Sequence, residues 1–90
     1  MDEITLNLLG FDVKGTVTWV FESGTYSCQV MHSSLGVHAY LHISGFTLID
    51  RYGWESPRAA ADAINQAAWK HTQASKLVDR SIEKLFGGGQ

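Results

Sequence analysis

With Cys28 as its single cysteine, the chain can form neither an internal disulfide nor a multi-cysteine metal site. A lone thiol fits a reducing compartment. Cations are also scarce: seven Lys and Arg stand against nine Asp and Glu, for a formal net charge of -2. Phosphate backbones are gripped by clustered Lys and Arg. Here those residues are scattered along the chain, which argues against a nucleic-acid partner. No apolar run approaches the roughly 18–20 residues that cross a bilayer. The N-terminus has neither a basic region nor a long apolar stretch, so no secretory leader and no membrane contact are expected, and the expected location is cytoplasmic. No phosphate-binding loop, dinucleotide fingerprint, zincin motif or serine elbow is present. Paired carboxylates of glycosidase type are missing as well. The reading is a protein that is not an enzyme, with no catalytic residues, no cofactor and no metal.

What is present is an ordinary globular composition, 44% hydrophobic with three tryptophans, which argues against disorder. Ninety residues make one domain. It divides into a strand-rich part over 1–52, a helical part over 56–86 and a flexible glycine tail over 87–90. Turn signals at Leu9-Gly10, Ser23-Gly24 and Ser44-Gly45 separate alternating runs. Two-residue hairpins there would oppose Leu8 with Phe11, Phe21 with Tyr26 and Ile43 with Phe46. A longer loop through Ser33 to Gly36 would oppose Val30 with Ala39. All four registers put the same residues on one apolar face: Ile4, Leu6, Leu8, Phe11, Val13, Val17, Trp19, Phe21, Tyr26, Cys28, Val30, Val37, Ala39, Leu41, Ile43, Phe46 and Leu48. A one-residue slip would turn any strand inside out, so this agreement is informative. The predicted fold is α+β: a five-stranded antiparallel β-meander with a C-terminal helix, or a kinked helix pair, packed on one face.

Ser56 suits the N-cap position and Pro57 the first helical turn. Small or apolar residues at Ala60, Ile64, Ala67, Ala68, His71, Ser75, Val78, Ile82, Leu85 and Phe86 then form one stripe. A continuous helix from Pro57 to Phe86 would be about 45 Å long, whereas five strands span only about 20 Å. Either the helix breaks near Thr72 to Ser75 or its end projects. The apolar Leu77, Ile82, Leu85 and Phe86 would then fold back on the core or form a dimer contact, so both a monomer and a homodimer stay open.

No remaining segment covers the second sheet face, expected to show Thr16, Thr18, Val20, Ser27, Gln29, Met31, His38, Tyr40, His42, Thr47, Ile49 and Arg51. A solvated face is one reading. The other is a docking surface centred on Tyr40, with Met31, His38, His42, Ile49 and Arg51 around it. Trp69, far off the helix stripe, is a second candidate contact. His38 and His42 would stand about 13 Å apart along one strand, too far to share a metal ion. Cys28, His32 and His71 would lie on the core side, where a thiol is usually inert. Trp54 serves either as a staple onto the helix or as an exposed anchor.

The junction Gly53-x-x-Ser56-x-x-x-Ala60, with Ala68 further on, resembles the end of double-stranded-RNA-binding domains, which also set a β-meander before an Ala-rich helix. The resemblance implies a nucleic-acid-binding domain. Read from the residues alone, a nucleic-acid binder would use Tyr40 for stacking, with Lys14 and Arg51 nearby. Where that family carries a basic pair, Pro57 and Arg58 stand here. In size, acidity and lack of catalytic chemistry the chain is similar to small phage-encoded inhibitors such as anti-CRISPR proteins. That similarity implies a small protein-binding module, an inhibitor that occludes a partner protein's surface.

Overall fold

The computed structural model describes residues 3–85, with side chains through Thr72. Six strands are followed by one helix: β1 (Ile4–Leu8), β2 (Phe11–Gly15), β3 (Thr18–Glu22), β4 (Tyr26–Ser33), β5 (Gly36–Ile43), β6 (Phe46–Trp54) and α1 (Pro57–Leu85). The fold is α+β with antiparallel sheets and a C-terminal helix. The single five-stranded meander is corrected to a two-stranded sheet, β1-β2, and a four-stranded sheet, β3-β4-β5-β6.

The extra strand arises at Gly15. A side chain there would collide with the Thr18 carbonyl oxygen and press on the Trp19 indole. Only glycine permits so close a corner, and the expected long strand splits into β2 and β3. The Trp19 Nε1–H donates to the Ile4 carbonyl at 3.2 Å, tying the two sheets together. Val17, expected in the core, sits at this corner and is exposed.

Both two-residue turns put two consecutive residues in the left-handed region. Leu9 and Gly10 have φ of 57° and 90°, and Ser44 and Gly45 have 50° and 82°, as type I′ hairpins require. Leu8 opposes Phe11, Leu6 opposes Val13 and Ile4 opposes Gly15, as the alternation predicts. Val30 opposes Ala39 and Cys28 opposes Leu41, also as predicted. The β3-β4 hairpin differs: Phe21 pairs with Cys28 rather than Tyr26. The Ser23 N–H donates to the Tyr26 carbonyl at 2.8 Å, closing a longer turn. This slip is two residues, so every side chain keeps its face.

Trp19, Leu6, Leu8, Leu41, Ile43, Ile64, Val30 and Cys28 are the largest fully buried side chains. Burying each large apolar group stabilises the fold by about 1.5–3 kcal/mol. Helix α1 meets them with Ala60, Ala61, Ile64 and Ala68. Alanine lets the helix approach the sheet closely. The buried stripe includes Ala61 in place of His71, which is exposed. Ser56 caps the helix: the Ala59 N–H donates to its Oγ at 3.1 Å. Of the two alternatives, a break near Thr72 to Ser75 or a continuous helix, the helix is continuous through Leu85. The side chains of Leu77, Ile82, Leu85 and Phe86, expected as a dimer contact, lie outside the described residues.

Candidate functional site

Helix α1 and the β1-β2 hairpin both pack on the Cys28–Leu41 side of the four-stranded sheet. The other side is open, and strand alternation places Val20, Gln29, Met31, His38, Tyr40 and His42 on it. Val20 and Met31 are exposed. Tyr40 donates its hydroxyl to Gln29 Oε1 at 3.2 Å, which fixes the ring over β4.

Strand β6 does not follow the simple alternation. Leu41 opposes Ile49, Tyr40 opposes Asp50 and His38 opposes Tyr52, with register shifts on either side of this stretch. Leu48 and Gly53 are the unpaired extra residues of two bulges, and Gly53 takes a φ of 82°. The first bulge reverses the expected faces. Ile49, expected on the open face, turns inward and packs against the core. Arg51, expected beside Tyr40, turns to the opposite face, where its guanidinium lies 4.5 Å from the centre of the Trp54 ring. Trp54 donates its Nε1–H to the Arg51 carbonyl at 3.0 Å and is half-buried against the core. Phe46 and Leu48, expected inside, are exposed.

In exchange, Asp50 and Tyr52 join the open face. Tyr52 stacks on His38 with ring centres 4.1 Å apart and planes 18° apart. The row continues from His38 to Tyr40 at 6.3 Å and from Tyr40 to His42 at 4.7 Å. Asp50 Oδ1 lies 2.7 Å from His38 Nε2, and Thr47 Oγ1 lies 3.0 Å from His42 Nδ1. The result is a continuous row of four rings, with polar side chains fixing two of the histidines. Tyr52 was not singled out by sequence, because the parity that hides it is reset by an unpaired leucine.

A second feature lies beside the helix. A cleft of about 560 Å³ opens between the β1-β2 turn, the β3-β4 hairpin and α1. Leu9, Phe11, Phe21, Tyr26, Ala68 and Trp69 contribute its apolar walls. Phe11 and Phe21 stack with centres 5.0 Å apart. Trp69 is 63% exposed. Phe11 was expected in the core; it escapes because the hairpin splits from the main sheet. Asn65 braces the cleft wall: its Oδ1 accepts from the Leu9 N–H and its Nδ2 donates to the Asn7 carbonyl, both at 2.8 Å.

The Cys28–His32–His71 grouping is not assembled. Cys28 is fully buried beneath the helix, whereas His32 and His71 are exposed. Burial pushes the Cys28 thiol up to about 11, opposed by a smaller effect of the Phe21 backbone. Among the described residues no group of three or more His, Cys, Asp and Glu side chains is placed to hold a metal ion. Among them, too, no helix is long and apolar enough to cross a membrane. The chain matches no family model, no curated protein and no solved structure in the comparisons made with them.

Proposed function

We propose that this chain is a small non-enzymatic protein-binding module that docks through the open sheet face and acts by covering part of its partner. An inhibitor working by steric occlusion, as in small phage-encoded inhibitors, is the form of action this reading favours. The observation that carries it is the row Tyr52–His38–Tyr40–His42 on a face that neither α1 nor the β1-β2 hairpin covers. Tyrosine and methionine are enriched at interface centres, and aromatic anchors supply contact area at small entropic cost. Strand spacing gives this face a plan area of about 400–500 Å². Side-chain relief raises the accessible area toward the ~800 Å² that each partner contributes to a standard interface.

Nucleic-acid binding is the weaker reading. The bulge carries Arg51 to the other side of the sheet, and Lys14 belongs to the separate β1-β2 sheet. Strand alternation leaves the open face with Asp50 and Glu22 as its charged side chains, the wrong sign for phosphates.

The test is capture of a partner from a native lysate by immobilised protein, repeated with Tyr40→Ala, Tyr52→Ala and Trp69→Ala variants checked for folding. Loss of the same partner with the two tyrosine variants supports this surface. Unchanged capture by both removes it, and loss with Trp69→Ala alone moves the docking site to the cleft.

A further inference from the structure

The cleft beside α1 is separate from the open sheet face, and its walls share one chemistry. Its volume of about 560 Å³ falls within the roughly 300–1,000 Å³ of small-molecule sites. The strand side supplies Phe11, Phe21 and Tyr26, and the helix side supplies Ala68 and Trp69. Phe11 is 60% exposed and Trp69 is 63% exposed, so each wall keeps a large ring with free surface. Among the described residues, no lining residue carries a charge.

Most polar side chains of the lining are already engaged within the chain. Leu9 and Asn7 occupy both ends of the Asn65 amide. Asn7 Oδ1 accepts from the Gly10 N–H at 3.2 Å, and its Nδ2 donates to Asp12 Oδ1 at 3.3 Å. Thr72 donates its hydroxyl to the Ala68 carbonyl at 3.0 Å. The hydroxyls of Ser23 and Tyr26 are left for a ligand among the described lining residues. These bonds also hold the Leu9-Gly10 wall in place, which lowers the ordering cost of binding.

We propose that this cleft binds an uncharged aromatic small molecule bearing a hydroxyl or carbonyl group. A charged ligand would give up water there and meet no counter-charge. Aromatic rings attract one another in offset-stacked and edge-to-face arrangements. A flat ligand ring therefore gains from either wall, whether it meets a ring face or a ring edge. An aliphatic ring of the same size gains only the burial. The single polar group is matched by the Ser23 and Tyr26 hydroxyls.

An isotope-labelled sample of the whole chain tests this by titration with 2-naphthol. Decahydro-2-naphthol has the same heavy atoms without the aromatic rings, and 2-naphthoate and 2-naphthylmethylammonium are the charged matches. The expected result is saturable binding of 2-naphthol with a Kd on the order of 0.1–1 mM. The largest shifts are expected at the Leu9, Gly10 and Phe11 amides and the Trp69 indole N–H. 2-Naphthol should bind at least about threefold more tightly than its aliphatic match, and neither charged probe should exceed it. Phe11→Ala and Trp69→Ala each weaken binding by about threefold or more. Both side chains are exposed, and unchanged amide positions in β4 and β5 check that the variants fold. Equal binding of the aliphatic probe, tighter binding of a charged one, shifts centred on Tyr40 and Tyr52, or indifference to both substitutions would each overturn the inference. Absence of saturable binding overturns it too. Trp69 signals that move on dilution of the ligand-free chain would give the cleft to a second copy. Lysate capture that needs Trp69 and is not competed by 2-naphthol would give it to a protein partner. Either result overturns the small-molecule assignment and leaves the open-face reading to its own test.

Discussion

Tyr52 lies flat against His38, ring centres 4.1 Å apart, because one leucine is left out of a strand pairing. With Leu48 unpaired, Asp50 and Tyr52 point to the open side and Ile49 to the core. The place of Tyr52 in the aromatic row, the expulsion of Arg51 and the presence of Asp50 on the face all follow from that one backbone irregularity.

Deleting Leu48 should therefore be tolerated. The remaining pairs, Ile43 with Phe46, His42 with Thr47, Leu41 with Ile49 and Tyr40 with Asp50, would form an uninterrupted hairpin. The deleted protein is expected to fold and to keep Tyr52 against His38, seen as ring-to-ring nuclear Overhauser contacts. In a simple alternating strand the deletion would instead turn the chain inside out beyond position 48, so these contacts would be new to the deleted protein and absent from the parent.

Stability and recognition should separate by face. Leu41 is fully buried, and Leu41→Ala is expected to cost about 2–5 kcal/mol. Tyr52→Ala removes an exposed ring and one stacking contact, so about 0.5–1.5 kcal/mol is the expected loss. Denaturant midpoints of the two variants compare them directly. A Tyr52→Ala loss equal to that of Leu41→Ala would place Tyr52 in the core.

The chain order of strands was legible in part, and the reasons are local. The Leu9-Gly10 and Ser44-Gly45 turns announce themselves by sequence, and the β1-β2 and β4-β5 pairings follow from matching apolar faces. The β6 bulge is hidden because Leu48 and Ile49 are adjacent and both apolar, so either parity satisfies the hydrophobic pattern. Cross-strand hydrogen bonding decides between them, and composition does not report it. The split at Gly15 is hidden for a similar reason: Val13, Val17 and Trp19 keep a common parity across the corner. As for the sites, Tyr40, His38 and His42 lie on the open face as alternation places them, and Trp69 is exposed as helical spacing places it. Tyr52, Phe11 and the brace made by Asn65 depend on contacts distant in sequence.

Asn65 links the helix to the first hairpin through two 2.8 Å hydrogen bonds, one at Leu9, whose φ of 57° is uncommon for a non-glycine residue. Asn65→Ala is expected to cost about 1–3 kcal/mol. It should also speed amide exchange at Leu9 and Gly10 before the β4-β5 amides respond. Uniform exchange across both sheets would contradict a local brace.

Cys28 makes stability fall at high pH. Its folded value of about 11 lies above the ordinary 9.0, so between these the unfolded chain releases a proton that the folded chain keeps. Unfolding is favoured as pH rises through that window, by at most about 1.4 kcal/mol per pH unit for this one group. Below pH 9 the thiol contributes its full share and should resist alkylation in the folded protein. Cys28→Ser would put a hydroxyl in the core, so Cys28→Ala is the better control: its stability should lose less between pH 9 and 11. Fast alkylation of the native protein at neutral pH would show that the thiol is not enclosed.

The orientation of β6 is the claim on which the docking surface rests, and a nuclear Overhauser map of aromatic and methyl protons measures it. The account predicts contacts between the Tyr52 and His38 rings, between Ile49 methyls and the buried Leu41 side, and between Arg51 and the Trp54 indole. Contacts of Ile49 with Tyr40, together with Leu48 against Leu41, would contradict it.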